Sequence, residues 1–231
     1  MESVYVTVSF TAGLLPALFW LWFWLREDSY HPEPKRLIAS AFITGMLIVP
    51  PVLYLEKEAM ALYTDTSLVV VWVMIEEILK YSGALIVVLW NRAVDEPIDT
   101  IIYMISIALG FAALENALFI FNPLSSGEYT NALITGSFRF LGSTLLHTLA
   151  SGTVGIFMAL AFYKRDFIKI FLATFGLLVA IILHALFNLF IMEASGQTVF
   201  VVFMFVWIGI VILMLSFEIA KMIEKKHRLR Q

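Results

Sequence analysis

The chain has 231 residues, 61% of them apolar and only 14% charged, with a mean hydropathy of +0.91 and a formal net charge of −3. Soluble domains carry about half apolar and a quarter charged residues, so the composition excludes a sizeable soluble domain and implies a polytopic membrane protein. There is no cysteine, which excludes disulfides, thiolate metal ligands and a cysteine nucleophile.

Seven apolar spans are predicted, at roughly 4–25, 37–55, 67–90, 100–121, 132–163, 169–191 and 199–220, most of them near the ~20 residues that cross a bilayer. The first lacks a basic n-region (MESVYVTV) and reads as a retained anchor rather than a signal peptide. The fifth is too long for one straight crossing. It is expected to begin as an interfacial piece around Leu133 and to cross from about Phe138. Alternate loops and the tail hold twelve lysines and arginines, from Arg26 to Arg230, against Lys57 alone on the other side. The positive-inside rule then puts the N-terminus outside and the C-terminus in the cytoplasm. The expected fold class is an all-α transmembrane bundle of about seven spans, organised as one membrane-embedded domain over 1–231.

Ionisable residues inside spans are costly and point to function. Span 3 holds Glu76, Glu77 and Lys80, span 4 Glu115, span 5 Arg139 and His147, and span 6 His184. Asn116 and Asn188 are neutral polar companions, and all five aspartates fall in loops or at span edges. Counted from the outer end of each span at 1.5 Å per residue, Glu76, Glu115, His147 and His184 all lie roughly 10–14 Å deep. Four helices thus bring two carboxylates and two imidazoles to one level, which marks a single buried site. Glu76 and Lys80 share a helical face, as do His184 and Asn188, whereas Glu77 points about 100° away from Glu76. Each residue alone has a plainer reading. A Glu–Lys pair can fix helix register, a span histidine or asparagine can join helices, and Arg139 can snorkel to the outer headgroups.

Several chemistries lack their residues. No His-Glu-x-x-His occurs, no aspartate pair lies at membrane depth, and Ser137, Ser143 and Ser151 stand outside any G-x-S-x-G. A serine mechanism through His147 or His184 stays open but unprompted. Glutamate and histidine suit two arrangements. In one, a carboxylate is the general base while imidazole or amide groups stabilise an oxyanion. In the other, a zinc or similar ion is held by two imidazoles and one carboxylate, for which the candidate ligands are Glu115, His147 and His184. Spacing does not choose between them.

Four elements in order, Glu76-Glu77-x-x-Lys80, Phe111-x-x-x-Glu115-Asn116, His147 with the small residues to Gly152, and His184-x-x-x-Asn188, resemble the PrsW family of intramembrane proteases. That family is related to the CAAX prenyl endopeptidases and the Abi immunity proteins. Softer matches are DSYHPEPKR (28–36) and DEPIDTIIY (95–103), and the pattern is broken at Thr100 and Met104, where glycines are expected. The resemblance implies a multi-pass cell-membrane endopeptidase that cuts a single-pass membrane protein near its outer side. The substrate it implies is an anti-sigma factor, cleaved in the first step of a stress-signalling cascade. Glu76, Glu77, His147 and His184 would carry catalysis, with Glu115 and Asn188 beside them and Lys80, Asn116 and Arg139 in support. Substrate is expected to arrive from the lipid or outer side near spans 4 and 5, past the loop 122–131. The partners are then this substrate and the bilayer, with no nucleic acid. A non-catalytic scaffold or immunity protein on the same fold is the alternative. A proton or cation transporter is a weaker one, since no internal repeat is seen.

Overall fold

The structure is a computed structural model that describes residues 2–27 and 31–229. It is helical, with no strand among the described residues. In chain order the helices are α1 (Glu2–Leu25), α2 (Lys35–Ala59), α3 (Asp65–Ala84), α4 (Pro97–Ser125), α5 (Tyr129–Phe138), α6 (Thr144–Ala161), α7 (Asp166–Glu193) and α8 (Gln197–Arg228). A π-helical turn, Leu85–Leu89, follows α3, and a second, Arg139–Ser143, joins α5 to α6. Among the described residues six stretches are long and apolar enough to cross a membrane: α1, α2, α4, the α5–α6 run, α7 and α8. The remaining span expected from sequence, 67–90, is α3 with its π turn, whose apolar run is interrupted by Glu76, Glu77 and Lys80.

Helix α4 is the centre of the bundle and packs on α1, α2 and α6. Its residues from Pro97 to Ala113 are buried all round, as expected of a helix with no polar face. Its start is set locally. Pro97 opens the helix, and the Asp99 carboxylate accepts the backbone N–H groups of Glu96 (2.7 Å) and Asp95 (2.9 Å), donors that the helix itself leaves unpaired.

Close approach to α4 comes from glycines on its neighbours. A Cβ on Gly155 of α6 would stand 2.6 Å from Ile101 Cα and 2.8 Å from Thr100 O. Thr100, where the sequence pattern leads one to expect glycine, instead shares its hydroxyl proton between the Pro97 carbonyl of its own helix at 2.8 Å and the Gly155 carbonyl at 2.9 Å. The small residue of the α4–α6 crossing is therefore on α6, and the threonine at the crossing adds a hydrogen bond.

The two softer sequence matches meet at one end of the bundle. His31 Nδ1 lies 3.2 Å from Glu96, and the Tyr103 hydroxyl donates to Glu33. Asp28, Ser29 and Tyr30 of the first match lie outside the described residues. Helix α8 closes this end: Arg228 reaches Glu96 and Glu224 at 2.6 Å, Lys221 reaches Glu27 at 3.2 Å, and the His227 ring stacks on Tyr163. Burial, with Glu224 close by, raises the Glu96 carboxyl above its ordinary range.

Candidate active site

The polar residues of α3, α4, α6 and α7 converge inside the bundle. Helix α3 turns Glu76, Glu77 and Lys80 inward, and none is more than 5% exposed. Lys80 is fully buried. Its ammonium reaches Glu77 Oε1 at 2.8 Å, Glu76 Oε2 at 3.1 Å and His147 Nδ1 at 2.9 Å, and it lies 4.1 Å from the centre of the Phe111 ring. The i, i+4 spacing predicts a pair with Glu76. The structure adds the i, i+3 pair with Glu77, so one cation serves both carboxylates.

An ammonium can only donate, so His147 Nδ1 must be the accepting nitrogen. The proton then sits on Nε2, which lies 3.0 Å from Glu115 Oε2 and donates to it. His184 is the opposite tautomer. Its Nδ1 lies 2.9 Å from Glu77 Oε1 and carries the proton, which leaves Nε2 with a free lone pair. The two rings meet edge to face at 5.0 Å. Ser151 Oγ donates to Glu77 Oε2 at 3.3 Å.

Glu115 is held from the other side. Arg139, at the start of the π turn, donates to Glu115 through Nη2 and to Asn116 Oδ1 through Nε at 2.6 Å. Asn116 Nδ2 donates to Thr144 Oγ1, and that hydroxyl donates to the Arg139 carbonyl, which also accepts the Thr144 backbone N–H of the π turn. Arg139 thus binds inside the bundle, over the Phe119 ring.

One oxygen or nitrogen from each of Glu76, Glu77, His147 and His184 falls within a common 4.8 Å, and all four residues are buried. Two carboxylates and two imidazoles at that separation are a donor set that fits a zinc-type ion with ligand bonds of ~2.0–2.2 Å. Glu115, a ligand candidate in the sequence reading, lies outside this group and is engaged by Arg139 instead. Asn188 is half-buried, and among the described residues no side-chain hydrogen bond joins it to the cluster. Ser151 was not assigned to the site from sequence, although its i, i+4 relation to His147 puts both on one face of α6.

Fold and cluster together define a class: a helical membrane bundle with a buried carboxylate–imidazole site suited to hydrolysis. The chain belongs to a particular family within it, because the model of the PrsW family intramembrane metalloproteases matches residues 33–215. It is 28% identical over 212 residues to Protease PrsW of Bacillus subtilis (strain 168), covering 87% of this chain and 91% of that one. It is 28% identical over 195 residues to Protease PrsW of Clostridioides difficile (strain 630), covering 79% of each. The protein of Oceanobacillus iheyensis with the same name is 26% identical over 192 residues, covering 81% of this chain and 85% of that one. No solved structure matches the chain significantly. The protein is therefore an intramembrane endopeptidase of the cell membrane, not the scaffold or transporter that the sequence alone also allowed.

Proposed function

We propose that the protein, as a single membrane-embedded domain over 1–231, cleaves a single-pass membrane protein in the outer half of the bilayer, with Glu76 as general base. The substrate class that the resemblance brings is an anti-sigma factor, cut at the first site of a signalling cascade. Twelve of the thirteen lysines and arginines outside the spans fall on the side of the Glu27, Glu96 and Arg228 contacts, which supports a cytoplasmic assignment for that end. His184 is nine residues from the opposite end of α7 and eighteen from the near one, and Glu115 is ten and eighteen residues from the ends of α4. At 1.5 Å per residue this puts the site ~14–15 Å from the outer ends of its helices and ~27 Å from the inner ones.

The observation that carries the choice of base is the unequal load on the two glutamates. Glu77 accepts from Lys80, His184 and Ser151, which fixes its orientation and uses both of its oxygens. Among the described residues Glu76 accepts only from Lys80, which leaves its other oxygen for a water proton. Glu77 therefore orients His184, and Glu76 takes the proton, with the Lys80 ammonium 3.1 Å away as its counter-charge. Glu76, Glu77, His147 and His184 are the residues that would hold a metal, and an ion there would take over from the Lys80 ammonium the lone pair of His147 Nδ1. When bound, such an ion supplies Lewis acidity and a more acidic water. The His184 Nδ1–H bond to Glu77 fixes the tautomer with a lone pair on Nε2, as a metal-binding imidazole requires.

Purified wild type, Glu76→Gln and Glu77→Gln, each in nanodiscs with a cleavable single-pass reporter, test this reading. Glu76→Gln should abolish turnover in protein that still folds, whereas Glu77→Gln, which also weakens the His184 and Ser151 contacts, should lower stability more. Full activity in Glu76→Gln removes the assignment.

A further inference from the structure

The bundle is open to the lipid on the side of the two histidines. Helix α7 packs on α6 and α3 and touches α8 only slightly. The space left between α6, α7 and α8 is an apolar groove of about 590 Å³, walled by Leu146, Leu183, Phe187 and Val202 among others. Glu193 and Thr198 stand at its mouth, at the connection between α7 and α8. We propose that this groove docks the outer half of the substrate's transmembrane segment, and that Glu193 selects segments with a basic outer flank. The proposal deepens the reading above and rests on it.

Continuity with the site is the first support. Leu146 immediately precedes His147, and Leu183 immediately precedes His184, so the inner wall of the groove is made by the helix faces beside the two imidazoles. Length is the second. Leu183 and Glu193 are ten residues apart on α7, or ~15 Å, half of a ~30 Å hydrocarbon core. The volume lies within the ~300–1,000 Å³ of ligand pockets, enough for part of one segment. A helical substrate has its amides already bonded and must be drawn out before a base can reach them. An extended strand rises ~3.3 Å per residue, so four or five residues fill the groove's length. Charge is the third support. Glu193 is exposed at the mouth, and Lys57 is the only cation in the loops assigned to that side, so little on the protein competes for a basic substrate flank.

A second apolar groove, of about 470 Å³, runs between α1, α4 and α5, where the sequence leads one to expect substrate access. None of its lining residues adjoins a site histidine in the chain, and it serves as the comparison.

The test is photo-cross-linking in nanodiscs with full-length protein. The probe is a synthetic peptide of ~20 leucine and alanine residues, with lysines on its outer flank and a diazirine leucine in its outer third. Cross-links should map to α7 and α8, fall about tenfold in Val202→Trp, which fills the groove, and persist in Leu133→Trp, which fills the other one. Glu193→Lys, an exposed change, should weaken labelling by the lysine-flanked probe and strengthen labelling by a glutamate-flanked one. Cross-links on α1, α4 and α5, cross-links spread over lipid-facing surfaces, or labelling indifferent to Val202→Trp and to the charge swap each overturn the proposal. Labelling needs no turnover. An active Glu76→Gln variant would therefore remove the catalytic reading and leave this readout intact, while turnover with no groove labelling would remove the docking alone.

Discussion

His184 Nδ1 donates to Glu77 Oε1 at 2.9 Å, and the same oxygen accepts from Lys80 at 2.8 Å. One carboxylate oxygen therefore orients an imidazole and neutralises a buried cation. Replacing Glu77 by Gln keeps the volume but removes the charge and one of the two accepting oxygens. Metal affinity, activity or both should fall by at least about 10–100-fold, because Glu77 belongs to the candidate donor set and also orients His184. Zinc titration and turnover measured on one preparation check this. A Glu77→Gln protein that binds zinc and cleaves like wild type would show that the orientation of His184 does not depend on Glu77.

Lys80 is fully buried between Glu76, Glu77 and His147. Lys80→Met leaves two buried carboxylates without their cation, and breaking a buried pair in this way costs about 3–5 kcal/mol. Thermal unfolding in detergent should show that loss. Added zinc should restore part of the stability, because a cation bound only by the folded state stabilises it by mass action. An unchanged melting temperature would mean that the ammonium does not hold these carboxylates.

Much of this site was legible in the sequence because its residues are costly where they stand. Charges in an apolar span must find partners, and helical rise alone puts Glu76, Glu115, His147 and His184 at one depth. The partners themselves were less legible. Helical spacing allows Lys80 to pair with Glu76 and, at i, i+3, with Glu77, but His147 joins only once α3 and α6 face each other. Ser151 lay hidden among the small residues of span 5, and the pairing of Glu115 with Arg139 starts at a π turn that apolar periodicity does not announce. The α4–α6 contact was readable only in part, since the glycine expected at Thr100 is supplied across the interface by Gly155.

Gly155 gives a test of that crossing away from the chemistry. An added Cβ would meet backbone atoms of Thr100 and Ile101 at 2.8 and 2.6 Å, with no flexible side-chain end to move aside. Gly155→Ala should therefore separate α4 and α6 slightly and cost about 1–3 kcal/mol, the range for overpacking. Turnover of the folded fraction should hold, because the nearest atoms to the added Cβ belong to Thr100 and Ile101, outside the cluster. Chemical denaturation measures the stability. An alanine variant as stable as wild type would show that the crossing is looser than its backbone contacts imply.

Arg139 decides between two roles left open by the sequence, reaching outward to headgroups or inward to the site. Its guanidinium pairs with Glu115, donates to Asn116 at 2.6 Å and covers Phe119, while Glu115 in turn accepts from His147 Nε2 at 3.0 Å. The route from Arg139 to the His147 imidazole is thus two hydrogen bonds long. Arg139→Ala should lower kcat more than it raises KM, since it disturbs a positioning group and not the groove that holds substrate. Arg139→Lys should recover little, because a lysine lacks the planar fork that engages Glu115 and Asn116 together. A double-mutant cycle with Glu115→Gln separates the roles. Groups joined in one network couple by about 0.5–3 kcal/mol, so the double variant should lose less activity than the two single losses combined. Additive losses would return Arg139 to the headgroups and leave Glu115 to be held by His147 alone.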